Sequence, residues 1–244
     1  MVDRVEVLGV PVDCVDMHGA LDAVDLMINS GKPNTIIALN PEKVIKAQSD
    51  SKLLGWLLNA SLIIPDGIGV VVAARKLNQV NISRVSGSEL MPNICERSVS
   101  KGYKLFLYGA SQDTIQKAVD RLTERYPGIQ IVGFQNGYLP ENEMPDLIDR
   151  INQSQAQILF VALGSPRQEL WMDNYLGKLH NIRVCQGVGG TFDVIAGTVK
   201  RAPNFFINIH CEWLYRLLSQ PSRLIRQTAL PVFAFKVLLA WLRK

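Results

Sequence analysis

Short β-branched runs separated by helix-length amphipathic stretches recur along this chain, and that alternation restricts it to a largely parallel sheet covered by helices. The runs at residues 5–9, 35–39, 61–64, 104–108, 130–134, 158–162 and 183–188 are rich in Val, Ile, Leu and Phe. They imply about six core strands of a Rossmann-like α/β fold. Local signals punctuate the pattern. Asp16 is suited to cap a helix over residues 17–28, and Pro41, directly after Asn40, fits the first turn of another. Pro65-Asp66-Gly67 stops the third run ahead of an apolar helix over 68–77, and Gly109-Ala110-Ser111 turns the fourth into a helix ending near Arg125. Without internal repeats or a flexible linker, residues 1–203 read as one α/β core and 204–244 as a C-terminal helical appendage.

At 244 residues, with 48% hydrophobic and 20% charged, the chain can bury one substantial core. Acidic residues lie within the first six positions and no apolar run follows them, so no secretory signal and a cytoplasmic location are expected. Cys14, Cys95, Cys185 and Cys211 are widely separated, and His18, His180 and His210 stand at no ligand spacing. The cysteines read as reduced packing residues; neither a metal nor a cofactor is expected.

The formal charge of +4 is unevenly spread. From Trp213 onward there are six cations and no acid, which leaves the preceding residues at −2. Arg216, Arg223 and Arg226 recur at helical spacing, and residues 229–242 are strongly apolar, with Pro221 and Pro231 as expected helix breaks. That stretch falls short of the roughly 20 residues of a spanning helix. An interfacial segment on an anionic membrane surface fits its composition, in preference to a nucleic-acid contact. A C-terminal helix packed on the core, or a subunit interface, is the alternative.

In open α/β sheets ligands bind beyond the carboxyl ends of the strands. Asn40, Asp66, Gly109-Ala110-Ser111, Gly164 to Glu169 and Gly187-Val188-Gly189-Gly190-Thr191 stand there. Asp66 is placed either to act as a general base, with Gly67 and Gly69 leaving room for substrate, or to cap the following helix. Gly187, Gly189 and Gly190 read as a phosphate-cradling turn or as a plain tight turn, and they do not match a dinucleotide fingerprint. No Asp-x-Asp pair occurs. Leaving-group charge then falls to cations such as Arg84, Arg167, Lys200 and Arg201 and to backbone dipoles.

Longer patterns carry a resemblance. Gly187 to Asp193, Ala196 to Pro203 and Glu212-Trp213-Leu214-Tyr215-Arg216-Leu217 run in order, with Asn40-Pro41-Glu42, Pro65-Asp66-Gly67, Arg84-Val85-Ser86-Gly87, Gly137-Tyr138 and Val161 to Glu169 ahead of or between them. Together they resemble the WecG/TagA/CpsF family of bacterial glycosyltransferases over nearly the whole chain. The resemblance implies an inverting, metal-independent enzyme that moves N-acetylmannosamine from a UDP donor to undecaprenyl-diphosphate-linked N-acetylglucosamine, in synthesis of a surface polymer of the wall teichoic acid type. It implies that Asp66 is the general base and that Asn40, Arg84 and Gln168 contact substrate. It also implies that Arg216, Arg223 and Arg226 neutralise the diphosphate once the enzyme, peripheral on the inner face of the membrane, meets its lipid-linked acceptor.

The same resemblance leaves a second donor open, the uronic acid of N-acetylmannosamine. Lys43 reads either as the partner of a uronate carboxylate or as an ordinary exposed helix lysine. The chain departs from the family pattern at two places: Ala38 replaces a Thr of the teichoic-acid branch, and His210-Cys211 replaces the usual residues before Glu212. A nucleotide-sugar oxidoreductase is the competing class of enzyme, and Gly9-Val10-Pro11-Val12 lacks the fingerprint it would need. A homo-oligomer is left open.

Overall fold

The computed structural model describes residues 2–200, 202, 203, 205, 206, 213–215 and 228–243. The first apolar run does not enter the main sheet. It forms β1 (Arg4–Val7), which pairs antiparallel with β2 (Val10–Asp13) as a separate hairpin. Leu8 and Gly9 both adopt positive φ, at 53° and 80°, which suits a two-residue turn whose twist matches the strands it joins. Arg4 grips the buried Asp13 through two bonds of 2.7 and 2.9 Å, and Asp13 in turn accepts the Ile63 N–H at 2.6 Å, which clips the hairpin to the edge of the core.

The other six runs form one parallel sheet. β3 (Asn34–Leu39), β4 (Leu62–Pro65), β5 (Lys104–Gly109), β6 (Gln130–Gln135), β7 (Ile158–Ala162) and β8 (Val184–Gly187) lie in the order β4-β3-β8-β7-β5-β6. Every residue of β4, β7 and β8 is buried, as expected where helices cover both faces. One layer contains α2 (Pro41–Ala47), α3 (Ser51–Asn59), α4 (Ile68–Asn78), α7 (Met144–Gln153) and α8 (Arg167–Tyr175). The opposite layer contains α1 (Met17–Asn29), α5 (Gly87–Lys101), α6 (Gln112–Arg125) and the short α9 (Thr191–Ile195). Asp16 caps α1 by accepting the Gly19 N–H at 2.7 Å, as its sequence position suggested. Cys14, Cys95 and Cys185 are free thiols, and burial pushes the Cys95 thiol up to about 12. Cys211 lies outside the described residues.

The last described helix, α10 (Ala229–Leu242), rests on the outside of α2 and α4. Phe233 is buried there, and Val237 packs one turn further on. Pro231 does not break this helix. It occupies the first turn, where a missing N–H costs no intrahelical bond. The outer side of α10 carries exposed Val232, Phe235, Leu238, Leu239 and Leu242, while Trp241 lies against Lys76 of α4. Among the described residues, no helix is long and apolar enough to cross a membrane.

Candidate active site

Four neighbouring strands, β4, β3, β8 and β7, bring their carboxyl ends together, and their exits carry the candidate residues. Asp66 follows β4, Asn40 follows β3, the Gly187–Gly190 turn follows β8, and Gly164 to Gln168 follows β7. Parallel pairing forces all four exits onto one edge of the sheet.

Asn40 is the N-cap of α2, with its Oδ1 accepting the Lys43 N–H at 2.8 Å and Pro41 in the first turn. Asp66 does not cap α4. The N-cap there is Gly67, which makes no side-chain hydrogen bond. Instead Asp66 Oδ1 accepts the Gly87 N–H, at the start of α5, at 3.1 Å. Its Oδ2 accepts no hydrogen bond from any described residue, and the side chain is half-buried. Arg84 lies alongside, donating its Nε–H to the Asp66 main-chain carbonyl at 2.8 Å.

The glycines beside Asp66 serve packing and not substrate access. A Cβ on Gly67 would lie 2.7 Å from Pro41 Cδ, and one on Gly69 would lie 2.9 Å from Pro41 Cγ and 3.6 Å from Phe233 Cε1. Small residues there let α2 and α4 approach closely, which fixes Asn40 beside Asp66.

At the β7 and β8 exits the buried Gln168 carboxamide is bonded at both ends. Its Oε1 accepts the Gly189 N–H at 3.1 Å and its Nε2 donates to Glu169 Oε1 at 3.3 Å. Gly189 sits at φ +54°, and any side chain on Gly187 would collide with Gln168. Two of the three glycines are therefore explained by the turn's own geometry. Gly190 is exposed at its rim.

Glu169 also accepts from Lys43 Nζ at 2.7 Å, with both side chains buried. Burial pushes the Glu169 carboxyl up, but the Lys43 charge and hydrogen bond outweigh it and hold the group below its ordinary value. Lys43 is thus neither an exposed lysine nor a free partner for a uronate, because a buried ammonium needs an internal counter-charge and Glu169 supplies it.

Gln186 escaped the sequence reading. It is fully buried in β8, donates to the Gly87 carbonyl at 3.4 Å, and its Oε1 has no partner among the described residues. Other candidates lie further off or unbonded. Ser111 caps α6, accepting the Thr114 N–H at 3.2 Å, and Arg167 and Lys200 are exposed. Ala38 is partly exposed beside Gly87. Arg201, Arg216, Arg223 and Arg226, with His210, lie outside the described residues.

Comparison with known proteins gives a consistent picture. The profile described as "Glycosyl transferase WecG/TagA/CpsF family" matches residues 5–244. A similar curated protein is the N-acetylglucosaminyldiphosphoundecaprenol N-acetyl-beta-D-mannosaminyltransferase of Bacillus spizizenii, 36% identical over 211 residues, which cover 86% of this chain and 81% of that protein.

Proposed function

We propose, since this chain belongs to the WecG/TagA/CpsF family of glycosyl transferases, that it transfers N-acetylmannosamine from its UDP donor to undecaprenyl-diphosphate-linked N-acetylglucosamine. The acceptor hydroxyl attacks the anomeric carbon, the new C–O bond forms as the bond to the UDP oxygen breaks, and the hydroxyl proton passes to Asp66. Attack from the face opposite UDP inverts the anomeric centre. One observation carries this reading: a carboxylate with Oδ1 held by the Gly87 N–H and Oδ2 left without a described donor, on the same sheet edge as Asn40, Arg84 and Gln168. A general base needs that combination of fixed orientation and an open lone pair. With no Asp-x-Asp pair in the sequence, UDP charge is met by Arg84 and by Arg216, Arg223 and Arg226.

The neutral donor is favoured over the uronate because Lys43, the cation read as a uronate partner, is spent on Glu169. Offering each donor with the lipid-linked acceptor tests this. UDP release is expected from UDP-N-acetylmannosamine at a clearly higher rate; faster release from the uronate donor would reverse the assignment.

The enzyme works peripherally on the inner face of the bacterial membrane, in synthesis of a polymer of the wall teichoic acid type. Support comes from α10, whose exposed Phe235, Leu238 and Leu242 stand with Lys236 and Arg243 in one segment. Replacing Phe235 and Leu238 together by Ser should reduce sedimentation with anionic vesicles while leaving the melting temperature near that of the parent. Unchanged sedimentation would remove α10 from the membrane contact.

A further inference from the structure

Asn40 and Gln168 stand at the exits of β3 and β7, two strands each paired to β8 between them, so sheet pairing spaces the strands but does not hold the side chains beyond their ends. A buried ion pair spans the gap. Lys43 lies in the first turn of α2, which Asn40 caps, and its Nζ is 2.7 Å from Glu169 Oε1, with side-chain exposures of 8% and 0%. Glu169 follows Gln168 directly, and the same Oε1 accepts from Gln168 Nε2 at 3.3 Å. Gln168 Oε1 then holds the Gly189 N–H at 3.1 Å. One continuous series of bonds therefore runs from the β3 exit, through the β7 exit, to the β8 turn.

Stability alone is a poor reason for such a pair. Taking two charges out of water costs several kcal/mol per ion, and an apolar pair of similar volume often holds a core equally well. What an apolar pair cannot do is orient a neighbouring carboxamide. With Glu169 receiving one end of Gln168 and Gly189 supplying the other, the Gln168 side chain is fixed at both ends. Lys43 also ties this network to Asn40, whose Oδ1 accepts the Lys43 main-chain N–H at 2.8 Å.

We propose that Lys43 and Glu169 are positioning residues, a buried strut that sets Gln168 and the Gly189 turn relative to Asn40 and so shapes the site for the UDP-sugar. The proposal rests on the transferase reading. Neither side chain touches substrate, and the Lys43 charge takes no part in choosing between donors.

The full-length chain tests this as the wild type, as Lys43→Met/Glu169→Met, and as Glu169→Gln, with UDP affinity by calorimetry, donor KM, kcat and thermal melting measured for each. The double variant leaves no charge buried without a partner, so it should melt cooperatively near the wild-type temperature. Its donor KM and UDP Kd should rise by roughly 10- to 100-fold, the scale on which a misplacement of about 1 Å acts. Glu169→Gln retains an oxygen to accept both hydrogen bonds but leaves the Lys43 ammonium without its counter-charge, so it should melt below the double variant while its donor KM and UDP Kd fall between those of the wild type and the double variant. If the double variant does not melt cooperatively, the KM and Kd of Glu169→Gln, measured below its own melting temperature, decide by the same reading. A folded variant with wild-type UDP affinity and wild-type donor KM overturns the strut. Wild-type protein that binds no UDP overturns the transferase reading and the strut with it, a result distinct from the first.

Discussion

Replacing Asp66 by Asn is expected to lower kcat by about 10²- to 10⁴-fold, the usual contribution of a positioned general base. That is about 3 to 5 kcal/mol of transition-state stabilisation. The substitution is nearly isosteric, and the Asn oxygen can still accept the Gly87 N–H that holds Asp66 Oδ1 at 3.1 Å. The start of α5 and the Arg84 contact with the Asp66 carbonyl, made by the main chain, should both survive. What is lost is the ability to take a proton. The effect should therefore fall on kcat and on kcat/KM alike, with UDP affinity close to wild type. A purely structural Asp66 would give the opposite pattern, a lowered melting temperature with kcat preserved. Steady-state kinetics and a melting curve on the same preparation separate the two.

The second large effect is on stability. Lys43→Met removes one partner of a buried ion pair and leaves the Glu169 carboxylate, 0% exposed, without its counter-charge. Such changes cost about 3 to 5 kcal/mol. For a chain of this size that corresponds to a melting temperature lower by about 6 to 20 °C. The pH dependence has a definite sign. In the wild type the folded Glu169 carboxyl is held below its ordinary value, so its stabilisation is present above the unfolded carboxylate pKa and is lost as pH falls through the folded one. In the variant, burial without Lys43 raises the carboxyl instead, and the resulting penalty is greatest at neutral pH. The difference in melting temperature between the two proteins should thus shrink as pH falls through the carboxylate range. A difference independent of pH would show that the pair contributes by packing alone.

Much of the fold is written locally in the sequence. The run from Ile158 to Ala162 is apolar at every position, and all five side chains are buried between two helical layers. Asp16, Asn40 and Ser111 each precede a helix, and each side chain accepts an amide from that helix. Such signals act over three or four residues. The hairpin was hidden because Leu8 turns at positive φ, a conformation that its side chain does not announce. Pro231 was read as a break because proline excludes a helix interior, whereas its place in the first turn depends on where the helix starts.

At the site, Asp66, Asn40 and Gln168 were legible as exit residues, since strand ends are visible in the pattern, and Arg84 as a cation and through family resemblance. Their bonding was not. Lys43 looked like a surface lysine because its partner is 126 residues away, and only the order of strands brings the two together. The glycines at 67 and 69 looked like space for substrate, yet Pro41 fills that space from another helix. Gln186 reads as one polar residue in an apolar strand, and its proximity to Gly87 follows from the packing of α5 over the sheet. Long-range pairings of this kind depend on topology, which no local spacing encodes.

The most direct measurement is mass analysis of the lipid product after the enzyme is incubated with UDP-N-acetylmannosamine and undecaprenyl-diphosphate-linked N-acetylglucosamine in the presence of a divalent-metal chelator. The expected result is an acceptor enlarged by one N-acetylhexosamine, UDP released in equal amount, and both almost eliminated in Asp66→Asn. An unmodified acceptor with wild-type enzyme, or equal product from wild type and Asp66→Asn, would contradict the account.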